Sequence, residues 1–260
     1  MGYAEINSVL CSFNPVSLEE MESLKLMNRM DTKFVFSAGI LPLLLETLTT
    51  SYRILEIEHK RNFLYDTRYL DTEEMLFYLQ HVRGKLARHK IRFRKYESTG
   101  TTYLEIKRRT NRNRTVKWRI KTTSDSRILD EAASLFISKH IPLNSFKLQP
   151  VLSNKFTRIT LAGLKTMERL TFDFNLSFAS TDESVVELPY LAIAELKSEG
   201  YPAWSSFISA TKILGIKPTG FSKYCIGNAL LRDLPKKNLL KQKILLLNKI
   251  ENEYTKLYSS

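Results

Sequence analysis

Cysteine is nearly absent from this chain: Cys11 and Cys225 stand far apart, without a CxxC or a metal-ligand spacing. That excludes a disulfide-stapled scaffold and a thiolate-held metal, and two free thiols in a reducing compartment are expected. Long hydrophobic runs are missing too. The longest, such as ILPLLL and ILLL, fall far short of the roughly 18 residues a membrane-crossing helix needs, so no transmembrane segment is expected. The N-terminal stretch lacks the basic, apolar, small-residue order of a signal peptide. A cytoplasmic protein is expected, with a peripheral position at the inner face of a membrane left open. Nucleotide loops are lacking as well: neither GxxxxGK(S/T) nor GxGxxG occurs, which removes P-loop and Rossmann sites. His59, His81, His89 and His140 have no metal-ligand spacing; His81, at a helix end, could face a cavity or serve a surface or capping role. No Ser elbow or Cys–His arrangement is present.

Negative charge is the scarcer sign. Forty Lys and Arg against 27 Asp and Glu give a formal net charge of +13. Such an excess favours an anionic partner, whether phosphate compounds, nucleic acid or an anionic membrane surface. A hydrophobic content of 43% is ordinary for a globular protein and leaves ample material for a core.

What the sequence does contain is charge at alternate positions of short strand-like segments. Arg92 and Arg94 sit in IRFRKY, Glu105 and Lys107 in LEIK, Lys117 and Arg119 in VKWRIK, Glu195 and Lys197 in LAIAELK. Alternate side chains of a strand share a face, so these charges project one way while Ile91, Phe93, Val116 and Trp118 project the other. A sheet with one apolar face and one face of Arg, Lys and Glu is suited to hold a guest. Arginine forks match phosphate oxygens in pairs, and Lys33, Lys107, Lys117, Arg119, Lys197 and Lys223 add point charges that a polyanion would compensate. Glu105 and Glu195, with help from Asp173, are hard oxygen ligands suited to Mg²⁺ or Mn²⁺ bridging phosphates. The bland alternative is an ordinary solvated sheet face with weak surface pairs. Nucleic acid is disfavoured, because Phe93 and Trp118 fall on the face opposite the basic residues.

The coarse layout is one α+β domain. A loose entry and a short helix starting at Ser17-Leu18-Glu19-Glu20 occupy residues 1–28. Strands are expected at Lys33–Ser37, Tyr52–Glu58, Arg61–Asp66, Val151–Leu161, Met167–Phe178 and Tyr190–Lys197, with a meander over residues 86–121. The meander's turns fall at Ser98-Thr99-Gly100 and Asn111-Arg112-Asn113. DTRYLDTEEM reads as a loop into a helix that Gly84 ends. Further helices are expected over Leu41–Thr49 and Ser126–His140, and where Trp204, Phe207, Ile208, Thr211 and Leu214 keep helical spacing. After Pro235 comes a basic amphipathic helix with Leu240, Ile244, Leu247, Tyr254 and Leu257 near one face. It reads as a cap on the barrel or as a surface for a membrane or membrane-protein partner.

The ordered set RMDTKF, LYDT, IRFRKY, LEIK, TVKWR, FTRI, TFD, AELK and GFSKY, from about Arg29 to Gly227, resembles the VTC (vacuolar transporter chaperone) domain. That domain is the polyphosphate polymerase branch of the triphosphate tunnel metalloenzymes. The resemblance implies a closed antiparallel β-barrel of about eight strands, spanning 29–232 between the entry and the C-terminal helix of 233–260. Its tunnel would bind triphosphate with a divalent metal. Lys33, Arg92, Arg94, Lys107, Lys117, Arg158 and Lys223 would contact phosphates, with Ser222 a further wall contact and Glu195 the metal-binding glutamate. The implied reaction moves the γ-phosphate of ATP onto a polyphosphate chain, with Arg92, Arg94, Lys107 and Glu195 as its catalytic set. Two departures stand out: Asp31 and Phe34 replace a more usual Glu and Tyr, and Arg109 stands where fungal polymerases carry a His. Two other readings remain open: a tripolyphosphatase or nucleoside triphosphatase of the same fold using Glu105 or Asp31 to orient water, and a non-catalytic polyphosphate-binding module.

Overall fold

In a computed structural model, residues 3–23, 29–112, 114–122, 129–141, 148–200 and 204–258 are described. The chain opens with α1 (Tyr3–Cys11), β1 (Asn14–Val16) and α2 (Leu18–Ser23), followed by β2 (Arg29–Ser37) and α3 (Leu41–Glu46). Next come β3 (Tyr52–Leu55), β4 (Phe63–Asp71) and α4 (Leu76–Val82). The meander is β5 (Arg88–Tyr96), β6 (Thr101–Arg109) and β7 (Thr115–Thr122), followed by α5 (Glu131–His140). Four strands follow: β8 (Gln149–Gly163), β9 (Glu168–Ala179), β10 (Val185–Leu188) and β11 (Leu191–Glu199). The chain ends with α6 (Ser206–Ile213), α7 (Lys223–Leu231) and α8 (Lys241–Tyr258).

Local chemistry accounts for several of these boundaries. Ser17 and Glu20 cap α2 reciprocally: the Ser17 backbone N–H donates to the Glu20 carboxylate at 2.8 Å, and the Glu20 N–H to the Ser17 hydroxyl at 3.2 Å. Gly84 ends α4 with φ +69°, as its position suggested. The start of α5 differs from expectation. Its N-cap is Asp130, which accepts from Ala133 N at 2.7 Å, and the expected first turn from Ser126 falls partly outside the described residues. Of the expected turn Asn111-Arg112-Asn113, the first two residues form a turn after β6, and Asn113 lies outside the described residues. The segment read as a loop, DTRYLD, is instead the second half of β4, paired with β5 on one side and β8 on the other as far as Leu70. Trp204 is 90% exposed and precedes α6; Phe207 anchors that helix, its ring 5.0 Å from Phe34 and 5.9 Å from Phe172.

The strands form one sheet in the order β2-β11-β9-β8-β4-β5-β6-β7, with β1, β3 and β10 attached at the side. All ladders are antiparallel except β1 with β3. The architecture is therefore α+β with a large, mainly antiparallel sheet. A closed barrel is not what the hydrogen bonds describe: β2 and β7 end the path, and among the described residues no ladder joins them. The sheet nevertheless curls. Met30 and Asp31 of β2 and Lys107, Arg109 and Thr115 of β6 and β7 line one cavity of about 430 Å³.

Helices pack on both sides of the sheet: α1, α3, α5 and α6 on the convex one, α7 and α8 on the concave one, against Val35 and Ile193. One apolar cluster joins α1, α3 and α6 to Phe34, Phe36, Phe172, Ala194 and Leu196. A second gathers Leu152, Phe178 and Leu191 with Tyr224 and Ile226 of α7 and Leu247 and Ile250 of α8. A third places Ala133 and Ile137 of α5 on Ile91, Phe93, Leu104 and Ile106. The charged part of the concave face lies beside α4 and α7: His81 of α4 lines its cavity, and Ser222 and Lys223 at the start of α7 meet Lys90 and Asp173. The C-terminal helix is thus packed on the body of the fold through Leu240, Leu247 and Ile250, with Leu257 exposed.

A candidate triphosphate site on the concave face

Period-two alternation in β5 and β6, with their register, sets the site's charges in rows. Arg92 lies opposite Glu105, and Glu105 opposite Arg119; one step towards the mouth, Lys90, Lys107 and Lys117 lie side by side. The first row is balanced by its glutamate. Arg92 donates to Glu105 from Nε at 2.7 Å, and the Arg94 guanidinium stands 3.9 Å from the same carboxylate. Burial would raise the Glu105 pKa, but Arg92 and Arg94 more than reverse this and hold it at about 2.

Strands β8 and β9 supply the next cluster. Arg158 grips Asp173 with two N–H donors, at 2.6 and 2.8 Å, and Lys223 at the start of α7 binds the same carboxylate. Burial opposes ionisation of Asp173, yet Arg158 and Lys223 together push its pKa well below the usual carboxylate range. Lys223 moves the other way: burial lowers its ammonium to about 8, with Asp173 only partly offsetting that. Facing them on β11, Glu195 is ion-paired with Lys197 and lies 3.8 Å from Lys33 of β2. Burial raises Glu195, but Lys197 and Lys33 carry it far below its ordinary value. Beneath the cations lies an aromatic floor. The Arg158 and Arg94 guanidinium carbons sit 5.1 and 5.5 Å from the centroid of the Tyr65 ring, which stacks on Phe156.

Lys33, Arg92, Arg94, Lys107, Arg158, Glu105, Asp173, Glu195, Lys197, Ser222 and Lys223 are therefore gathered on or beside one concave face. Lys117 and Arg119, expected as phosphate contacts, sit further out: both are exposed on the edge strand β7, Arg119 over the Tyr103 ring at 5.1 Å. Phe34 is not near the site at all. It is buried in the core on the other face of β2, so the loss of a hydroxyl at that position does not alter the concave face. Asp31 and Arg109 do line the cavity, as does His81, whose pKa burial and then Lys90, Arg88 and Lys243 depress to about 2.

Several contributors escaped the sequence reading. Lys90 projects from the same face as Arg92 and Arg94, and the same alternation could have identified it. Tyr65 and Thr67, the latter accepting from Arg94 Nε at 3.4 Å, belong to the half of β4 nearest the site. Ser222 also shapes the fold, because it N-caps α7, accepting from Cys225 N at 3.3 Å and from Lys90 Nζ at 3.0 Å.

The expected metal set is not preassembled. Among the described residues no group of three or more His, Cys, Asp or Glu could hold an ion, and Glu105, Asp173 and Glu195 each carry their own cationic partners. The donor chemistry fits a divalent ion of another kind, since Mg²⁺ and Mn²⁺ keep several waters and take one or two carboxylates alongside phosphate oxygens. Glu105, Asp173 and Glu195 are the carboxylates of this face from which such an ion would draw its one or two protein ligands.

No curated protein matches the chain. Among solved structures, a putative adenylate cyclase from Bacillus halodurans aligns at 12% identity and TM-score 0.48, over 75% of this chain and 94% of that one. A putative adenylyl cyclase from Hippeastrum, described as having a dominant triphosphatase activity, aligns at 13% identity and TM-score 0.47, over 81% and 99%. A family model described as the VTC domain matches residues 28–232. That span begins just before β2 and ends just after α7, so it takes in every charged group gathered above, and the chain belongs to the VTC domain family.

Proposed function

We propose that the protein is a polyphosphate polymerase that transfers the γ-phosphate of ATP onto a polyphosphate chain held along the concave face. The observation that carries this reading is the gathering of Lys33, Arg92, Arg94, Lys107, Arg158 and Lys197 on one face of a single curled sheet, with Lys223 of α7 against it. Several cations converging there, with fewer carboxylates between them, suit a linear polyanion better than a compact ligand. The tunnel belongs to the same proposal: β2 and the β5–β7 meander would enclose the guest through side chains across the cavity rather than through a ladder.

In this reading a terminal phosphate oxygen of the chain attacks Pγ, the bond to the β–γ bridging oxygen breaks, and ADP leaves. The attacking group is already an anion, so no strong base is needed, and positioning with charge neutralisation does the work. Arg92 and Arg94 would hold the transferring group; Lys33, Arg158 and Lys223 would orient the flanking phosphates. A Mn²⁺ or Mg²⁺ ion, taken up beside Glu195, would neutralise charge on the phosphate oxygens. A hydrolase would need a carboxylate free to orient water. Glu105 is poorly suited, because the arginines that hold it keep its pKa at about 2.

The test is incubation with γ-labelled ATP and Mn²⁺, followed by separation of chains on a gel. Labelled chains with equimolar ADP are expected, with at least about a hundredfold loss in Arg92→Ala. ADP with free phosphate alone would establish the hydrolase instead.

A further inference from the structure

Most cations of the concave face have a carboxylate of their own. Lys33 and Lys197 share Glu195, Arg92 and Arg94 share Glu105, and Arg158 and Lys223 share Asp173. Lys90 is different. Among the described residues no carboxylate pairs with its Nζ, which instead donates to the Ser222 hydroxyl at 3.0 Å. Its surroundings are overwhelmingly basic. Arg88 and Arg92 flank it on β5, Lys107 faces it from β6, Lys33 approaches from β2 and His81 from α4. From α7 come Ser222 and the buried thiol of Cys225, and Lys243 of α8 lies near His81 and Cys225. Asp31 lines the same cavity.

Lys107 stands directly opposite Lys90 on the neighbouring strand, with Arg88 and Arg92 on either side along β5, so a charged Lys90 is held against like charges without a carboxylate partner among the described residues. Relief can come from a bound anion or from one amine giving up its proton. Resting on the reading of this face as a phosphate site, we propose that Lys90 is a further phosphate-binding residue, which takes up a proton from the solvent as the anion docks.

Burial lowers the Lys90 ammonium most; Cys225 opposes the fall, while Lys33, Lys107 and Arg92 add to it and bring it down to about 7. A phosphate arriving within hydrogen-bond reach supplies the missing negative charge and restores the ordinary high value. Chemically, the amine and one proton drawn from buffer become an ammonium, and nothing else changes. Binding at this face is therefore proton-linked and weakens as pH rises.

Isothermal titration with inorganic tripolyphosphate, without metal, tests this on the full chain as wild type, Lys90→Arg and Lys90→Met. Wild type should match K90R near about pH 6 and approach K90M near about pH 9, the ratio of its Kd to that of K90R rising up to about tenfold per pH unit. Comparing variants cancels the titration of the ligand and of the other lysines. Buffers of different ionisation enthalpy should show up to about one more proton taken up by wild type than by K90M near pH 8, a comparison that decides the matter even if K90R does not fold. A wild-type to K90R ratio that stays constant with pH, or K90M matching wild type at about pH 6, would overturn the role of Lys90 alone. Wild type binding no tripolyphosphate at any pH would overturn the phosphate-site reading with it.

Discussion

Asp173 shows how tightly neighbouring charges are paired in the site. Its carboxylate, 3% exposed as a residue, holds both Arg158 and Lys223. Removing it leaves two cations in a poorly solvated place, which typically costs about 3–5 kcal/mol. Asp173→Asn should therefore unfold at markedly lower urea, and tripolyphosphate should restore part of the loss by taking the carboxylate's place. If the ligand restores nothing, Arg158 and Lys223 do not face it. Glu105 gives a pH signature. Its folded pKa of about 2 lies below the unfolded value, so the folded state binds fewer protons. The contribution is complete above about pH 4.3 and disappears as pH falls towards 2, an effect on the order of 3 kcal/mol. Acid unfolding of Glu105→Gln should be less steep in that window than that of wild type. At this scale the sequence was informative about which side chains share a face and silent about their pairing. Alternation put Arg92, Arg94, Glu105 and Lys107 together, but which acid serves which base depends on the register of β5, β6, β8 and β9. For that reason three carboxylates expected as metal ligands are found holding cations.

Among the elements, α7 decides whether the site holds its shape. It carries Ser222 and Lys223 at its N-terminus, and Asp71 ties it to α4: that carboxylate accepts from the Tyr224 hydroxyl and from the backbone N–H groups of Phe77 and Tyr78. Its close seating on the sheet requires Gly227, where an added Cβ would lie 2.5 Å from Phe178 Cδ1 and 2.9 Å from Leu152 Cδ2. Gly227→Ala should cost about 1–3 kcal/mol despite alanine's better helix propensity, measured by urea denaturation. It should also weaken tripolyphosphate binding, because α7 must lift and carry Lys223 with it. Unchanged affinity would separate α7 from the site. This helix escaped sequence reading for a physical reason. Tyr224 to Ala229 are buried in succession, so no polar stripe marks its period. Strands β5, β6, β7 and β11 were legible because one side faces charge and the other core. The second half of β4 was missed because turn-forming Asp and Thr residues punctuate it.

The whole molecule is a curled sheet with α1, α3, α5 and α6 on its convex side, and with surplus positive charge beside α7 and α8 on its concave one. The C-terminal helix belongs to that body. Truncation after Pro235 would expose the surfaces that the buried Leu240, Leu247 and Ile250 cover, at about 1.5–3 kcal/mol per side chain. The shortened chain should be unstable or insoluble; a truncated form that folds as well as the full chain would make α8 an appended element free to serve a partner. The overall class was readable from the alternating strands. Closure of the sheet was not, because whether its edges meet depends on how far it curls, which no local pattern records. The central claim is that linear phosphates lie along the concave face, and a crystal structure with tripolyphosphate and Mn²⁺ tests it most directly. Phosphate oxygens within hydrogen-bond distance of Arg92, Arg94, Arg158 and Lys33 are predicted. Tripolyphosphate seated instead on the outer surface of α8 or the convex helices, with the concave face empty, would contradict it.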